Sequence, residues 1–168
     1  MNLELPSEKH KDSFLAALKE YDGPQALAVT EQTFSAYLQQ SLDYSQGINL
    51  KPGLVPATEF WMVDEDGFAG RVSLRHELTD SLLRVGGHIG YTVRPTKRRR
   101  GYATRALQLA LAEASRLGLE KVLITCDDDN LASRRVIEKN GGILENRLYR
   151  EEGGVAICRY WVKTGVES

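Results

Sequence analysis

Four consecutive cations, Lys97, Arg98, Arg99 and Arg100, run directly into Gly101-Tyr102-Ala103. Such a run can hold nucleic acid, a membrane surface or a targeting receptor. It can also cradle the phosphates of one small ligand, and its flanks favour that chemistry. Upstream, "HIGYTV" (His88 to Val93) alternates as a strand; from Tyr102 onward apolar residues recur at helical spacing. A strand-to-helix turn ends on a helix N-terminus, where unpaired N–H groups and partial positive charge attract an anion. Gly101 and Ala103 let the backbone approach that anion closely, and Arg98, Arg99 and Arg100 can neutralise a diphosphate. Pro95 keeps Arg94 extended, so the strand stops before the turn. No G-x-x-x-x-G-K-S/T run occurs, and "GGHIG" precedes its strand, so the turn is neither a P-loop nor a dinucleotide fingerprint.

Other groups capable of chemistry are fewer. Asp127, Asp128 and Asp129 follow the apolar run "KVLITC". Asp127 either attracts a cationic amine and holds a water relay, or belongs with its neighbours to a solvated acidic turn before the next helix. The run lacks the Gly and distal Glu of a calcium loop, and no metal is expected. His88 has the ordinary pKa of a neutral-pH base, ~6.5. Alternation puts it opposite Ile89, Tyr91 and Val93, however, and a strand histidine is more often a hydrogen-bonded structural residue. His76 is expected packed on an apolar face, and His10 on the surface. Glu59, Trp61 and Tyr44 are candidates for an acceptor pocket, although large aromatics are more often core. Cys126 and Cys158 sit in apolar strand runs and read as small buried hydrophobes. No Cys-x-x-Cys or Cys/His spacing suggests zinc.

The elements that must position these groups follow from periodicity. A short strand around Leu3 and Leu5 precedes a helix capped by Ser7, with Phe14, Leu15, Leu18 and Tyr21 on one face; Gly23-Pro24 stops it. A second helix opens at Thr30, with Phe34, Tyr37, Leu38 and Leu42 at helical spacing, and a long loop follows over "SQGINLKPGLVP". The period then becomes two. "EFWMV", a turn at Asp66-Gly67, "GRVSLRHEL" and "HIGYTV" read as three strands. Ala103, Ala106, Leu107, Ala110, Ala114 and Leu117 form one helical stripe, ended by Gly118. "KVLIT" is a buried strand. Asn130 caps a short helix closed by Gly141-Gly142, and two final strands are joined at Gly153-Gly154.

Arg98-x-x-Gly101-x-Ala103, preceded by Val93-Arg94-Pro95, resembles the acyl-CoA motif of the GNAT superfamily of N-acetyltransferases. "NLASRRVIEKNGG" (Asn130 to Gly142) resembles the second motif of that family, and the element order matches over nearly the whole chain. The resemblance implies an α/β (α+β) GNAT-like fold: a mixed central sheet of six to seven strands, splayed between two central parallel strands and flanked by about four helices. It implies one domain over residues 1–168 with an acyl-CoA core over 88–142. Acetyl-CoA is the implied co-substrate, its pantetheine along Tyr91, Thr92 and Val93. Its pyrophosphate would lie on backbone from Arg99 and Arg100 through Gly101, Tyr102 and Ala103 to Thr104, with Arg98 beside it. Asn130 and Ser133 would touch the pantetheine arm or thiol end. The implied reaction is direct acetyl transfer to a primary amine of a small molecule or peptide in a ternary complex. A backbone N–H near Val93 would serve the tetrahedral oxyanion. The chain departs from the family twice: Ile137 stands where many members carry a Tyr acid, and Gly87 where several carry a Glu base. Tyr149 or a water then protonates the thiolate, or the thiolate leaves unaided.

Composition bounds these expectations. The 168 residues are 42% hydrophobic and 27% charged, with net charge −1, which gives no global attraction to a polyanion. No aromatic stacking stripe accompanies the basic run, so no nucleic-acid partner is expected; nothing approaches the roughly 20 apolar residues of a membrane span, so no membrane partner is expected either. The start, "MNLELPSEKHKDSF", carries no apolar run fit for a signal peptide, so a cytoplasmic location is expected. A homodimer, common among family members, is a further possibility. Two other functions stay open: a non-catalytic acyl-CoA sensor on the same fold, and a nucleic-acid module using the basic run.

Overall fold

A computed structural model describes residues 1–149 and 153–165. Two antiparallel sheets form its frame. The first orders β1 (Asn2–Glu4), β2 (Ala57–Asp64), β3 (Gly67–Arg75) and β4 (Ile89–Val93) side by side. The second orders β5 (Lys121–Asp127), β7 (Ile157–Lys163) and β6 (Ile143–Leu148). The helices are α1 (Lys11–Leu18), α2 (Phe34–Ser45), α3 (Asp80–Arg84), α4 (Tyr102–Arg116) and α5 (Leu131–Lys139). The expected splay between the two central strands is present as a parting between β4 and β5, which divides the seven strands into sheets of four and three, each antiparallel throughout.

The parting has a physical hinge. Gly87 and Ile124 form an isolated bridge, and the His88 N–H donates to the Leu123 carbonyl at 2.7 Å. Gly87 has φ +62, and a Cβ on it would lie 2.3 Å from that carbonyl oxygen. Only glycine permits both the left-handed backbone and so close an approach. Beyond the bridge β4 and β5 belong to different sheets.

Alternation decides what each sheet face buries. Val72, Leu74 and Ile89 pack against the α4 stripe of Ala106, Leu107, Ala110, Leu111 and Ala114 in the main core, which Val122, Ile124 and Tyr160 extend into the second sheet. The opposite face of the first sheet carries Trp61 and Val63 into a separate aromatic core with Phe14, Phe34 and Phe68. Phe14 stacks on Trp61 with ring centroids 4.5 Å apart and meets Phe68 edge-on at 5.1 Å, geometries that favour aromatic pairs beyond simple burial.

Several local expectations need correction. α3, capped by the Thr79 hydroxyl accepting from Leu82 N–H, is an element that sequence periodicity missed, because five residues show too little pattern. Ser7 makes no side-chain cap; a short 3-10 turn at Glu8–His10 intervenes before α1. α2 begins at Phe34, because the Thr33 hydroxyl takes the Thr30 N–H and holds an open turn ahead of it. Leu42 and Leu117 are 49% and 48% exposed, lying beyond the packed stretch of their helices. Among the described residues no helix is long and apolar enough to cross a membrane.

Replacing Gly87 with alanine is expected to destabilise the protein by about 2 kcal/mol, since left-handed strain and a backbone clash act together. A downward shift of the urea midpoint measures it; an unchanged midpoint would show that the hinge relaxes freely.

Candidate active site

Two cavities follow the parting of the sheets. One, of about 540 Å³, is lined by Tyr91, Thr92 and Val93, by Arg98, Arg99, Gly101, Tyr102 and Ala103, and by Asn130 and Ser133 of the second half. The other, of about 320 Å³, is lined by Gly90, Tyr91, Thr125, Cys126, Asp127, Asn130 and Ser133 among others. Tyr91, Asn130 and Ser133 belong to both walls, so the two spaces meet there. Arg100 and Thr104 line neither, although Thr104 contributes backbone to the same turn.

The turn before α4 gathers unpaired backbone donors. Arg99 and Gly101 both have positive φ, +62 and +76. Such alternation points successive N–H groups to one side as a nest. Every backbone N–H from Arg99 through Thr104 lacks a protein acceptor among the described residues; the first helical bond runs from Arg105 N–H to the Gly101 carbonyl. Those donors carry the positive end of a four-turn helix. The Arg98 guanidinium rests on the Val93 carbonyl and the Gln25 side chain at 3.4 and 3.2 Å.

Lys97, the first cation of the run, is not a solvated charge: it is 7% exposed and buried against the β2–β3 hairpin. Its ammonium donates to Asp64 Oδ2 at 2.9 Å and to Asp66 Oδ2 at 2.5 Å. The Tyr102 hydroxyl donates to the same Asp64 oxygen at 2.8 Å. Arg94 grips Glu20 at 2.6 Å, and the Thr96 hydroxyl joins it. The turn is therefore bolted to the segment just after α1 and to the hairpin on both sides of its arginines. Partners more than thirty residues away gave no local signal for this.

The second half of the site is set by α5. Asn130 caps it, accepting from the Ser133 N–H at 3.1 Å. The Ser133 hydroxyl then meets the Tyr91 hydroxyl at 2.8 Å, tying β4 to α5 across the cavity junction. Burial pushes the Tyr91 phenol up to about 12, so it holds its proton at neutral pH. Burial likewise raises the Cys126 thiol to about 11, and Cys126 faces Cys158 across the β5–β7 ladder with both thiols free. Asp128 is no solvated turn residue: it accepts from Arg134, Arg147 and the Cys158 thiol at 2.9 to 3.0 Å. Asp127 lines the smaller cavity.

The remaining candidates lie elsewhere. His88 is buried outside both cavities, and its Nδ1 accepts from the Leu123 N–H at 2.9 Å. A neutral ring held so carries its proton on Nε2, and burial lowers its pKa, with Arg75 adding to the effect. Ile137 is fully buried in the main core. Tyr149 is 79% exposed and lines neither cavity. Trp61 is core, as large aromatics tend to be. His76 bonds the Thr58 hydroxyl at 2.7 Å. His10 bonds Glu4 at 3.2 Å. No group of three His, Cys, Asp or Glu among the described residues is arranged to hold a metal ion.

A splayed α/β frame, with a row of unpaired N–H donors between strand and helix at its parting, is the kind of frame that an acyltransferase uses. The acetyltransferase (GNAT) domain family matches residues 3–143, and the chain belongs to that family. No curated protein sequence matches it. Solved structures of low identity share the fold. One is an acetyltransferase that modifies the N-terminal serine of a 50S ribosomal subunit protein in Salmonella typhimurium: 19% identity, TM-score 0.67, covering 96% of this chain and 93% of that one. Another is the microcin C7 self-immunity acetyltransferase MccE in complex with acetyl-CoA and AMP: 19% identity, TM-score 0.68, 96% and 91% coverage. A third is a chimera of spermidine N-acetyltransferase SpeG from Vibrio cholerae with hSSAT: 15% identity, TM-score 0.65, 98% and 97% coverage.

The Asp64 cluster carries a pH dependence. Burial raises its carboxyl, but Lys97, Tyr102 and the Asp66 N–H together outweigh burial and hold it below the usual range. A depressed native pKa contributes stability above the unfolded value, ~3.9, and loses it as pH falls through the native one. Stability to urea should therefore fall below pH ~4, and Asp64→Asn should flatten that acid limb while lowering stability at neutral pH. Parallel limbs in the two proteins would rule the cluster out as the cause.

Proposed function

We infer that the protein is an acetyl-CoA-dependent N-acetyltransferase that passes the acetyl group directly to a primary amine. The observation carrying this is the run of unsatisfied N–H groups from Arg99 through Thr104, opening on a cavity that continues between β4 and α5. A diphosphate satisfies those donors, with Arg98, Arg99 and Arg100 supplying counter-charge. Gly101 and Ala103 keep the approach open. The unpaired edge of β4 at Tyr91, Thr92 and Val93 offers backbone groups to the amides of a pantetheine arm. Acetyl-CoA supplies the activated thioester; the family match and the acetyl-CoA complex of MccE support that donor.

The chain's own groups then divide the work. Asp127, on the wall of the smaller cavity, takes the proton of the attacking amine directly or through water. His88 is left out of this assignment, because Nδ1 is engaged and Nε2 bears the proton. A backbone N–H near Val93 faces the developing oxyanion. The Tyr91 hydroxyl, oriented by Ser133, donates to the departing sulfur at the junction of the two cavities. Asn130 fixes Ser133 by capping α5 and so holds that donor indirectly.

Acetyl-CoA is expected to raise the melting temperature with increasing concentration. Gly101→Val should weaken that shift by at least about tenfold in affinity: the residue has φ +76, a β-branched side chain resists this backbone, and its Cβ meets nothing that would disturb packing. No thermal shift at millimolar acetyl-CoA would refute the cradle. Release of free thiol with a panel of amines tests transfer itself, and Tyr91→Phe should slow it while leaving acetyl-CoA affinity within about twofold.

A further inference from the structure

The first sheet has a face that the donor site does not use. Directly paired strand residues share a face, so the register sets Glu59, Ser73 and Gly90 in one row, with Trp61, Arg71 and Thr92 in the next. α2 packs over β2 and α1 over β3 on this side. At Gly90 the row is open: the residue is exposed, and a Cβ on it would meet nothing within 4 Å. Gly90 is also part of the wall of the smaller cavity. Glu59 stands at the other end of the row. Its Oε1 accepts from the Tyr37 hydroxyl and, at 3.2 Å, from Trp61 Nε1. Its Oε2 accepts from no described residue. That oxygen is not sealed away, since Tyr21 Oη is the only fully buried side-chain polar atom without a partner among the described residues. Arg71, one row along, is engaged elsewhere and donates to the Gln25 carbonyl at 3.0 Å.

A carboxylate is thus aimed by two donors, with one oxygen left for a cation, in a row whose far end at Gly90 is open and belongs to the cavity wall. Resting on the acetyl transfer proposed above, we propose that Glu59 binds a second, non-reacting ammonium group of the acceptor, which makes the acceptor class diamines. Strands lie ~4.8 Å apart, so the row spans roughly 10 Å from β2 to β4. The glutamate side chain covers part of that span, and a few methylenes of a diamine cover the rest. The groups facing Glu59 are Tyr37 from α2, Trp61 on its own strand and Arg71 from β3. Burial raises its carboxyl, and these three offset the rise only in part. A bound ammonium favours the ionised form, so diamine affinity falls as pH drops through that raised value.

Calorimetric titration of putrescine and of butylamine onto the protein–CoA complex tests this without turnover. Wild type should bind putrescine at least about tenfold more tightly than butylamine. Glu59→Gln should erase the difference while acetyl-CoA affinity stays unchanged. Ser73→Leu, which blocks the row without touching the Tyr37–Trp61 clamp, should do the same and decides the matter if Glu59→Gln fails to fold. Equal affinity for the two amines in wild type, or a preserved preference in either folded variant, overturns the proposal. Failure of wild type to bind acetyl-CoA in the same titrations is a separate result: it overturns the acetyl-transfer reading and this proposal with it.

Discussion

The site depends on two strands that do not pair. β4 is an edge of one sheet and β5 an edge of the other, and the segment leading into β4 is joined to β5 by the Gly87–Ile124 bridge and the His88–Leu123 hydrogen bonds. Backbone N–H and C=O groups facing the gap need partners, and an exposed edge invites an extended chain to add to it. An amide-bearing arm suits that edge better than water does, because it pairs and fills at once. The opening is set at its base by backbone, where a side chain on Gly87 would collide with Leu123. Side chains lining the gap are therefore free to specialise, and the Tyr91–Ser133 hydroxyl contact ties its two walls together at the cavity junction.

Charge around the α4 turn is partitioned by distance from the helix N-terminus. Lys97 and Arg94 are paired with Asp64, Asp66 and Glu20. Arg98, Arg99 and Arg100 have no ion-pair partner among the described residues. A loop carrying five cations repels itself and does not hold one conformation unaided. Neutralising those nearest the sheet lets the others stay close together. The burial of Lys97 is tolerable because two carboxylates share its ammonium and Tyr102 satisfies the same Asp64 oxygen; breaking such a buried cluster costs more than forming it gains. The positive φ at Arg99, strained for a residue with a side chain, persists in a segment fixed at both ends.

What could be read from sequence was what short-range chemistry dictates. The strand, the arginine-glycine turn and the amphipathic α4 are contiguous, so their pattern exposed the nest before any fold was known. Asn130 and Ser133 lie three residues apart on one helix start and were legible for the same reason. Lys97 was not, because Asp64 and Asp66 approach it only through the β2–β3 hairpin. The splay came with the family resemblance, but the partner of β5 was not legible: strand pairing is non-local, and an apolar run such as "KVLIT" looks alike whether its neighbour is a parallel strand or an antiparallel β7. Leu42 and Leu117 continue a helical period past the point where the partner surface ends, a boundary that periodicity cannot sense.

The two faces of the first sheet do different jobs, and the alternation of side chains separates them. Val72, Leu74, Ile89 and Tyr91 point toward α4, where packing holds the nest and the edge of β4 in place. Glu59, Trp61 and Arg71 point the other way, on the face that α1 and α2 cover in part, and Gly90 continues that face uncovered. A one-residue slip of register would exchange the two sets and destroy both. The bulge between Met62 and Val63 lies past the Glu59 row, so the pairing Glu59–Ser73–Gly90 is undisturbed while the hairpin beyond it bends to bring Asp64 onto Lys97. Gly70, opposite Val93, admits no Cβ because Thr92 O would lie 2.5 Å away, whereas Gly90 on the same strand pair has open space beside it. One face is thereby committed to packing against α4, and the other keeps a carboxylate in the row that ends at the cavity wall.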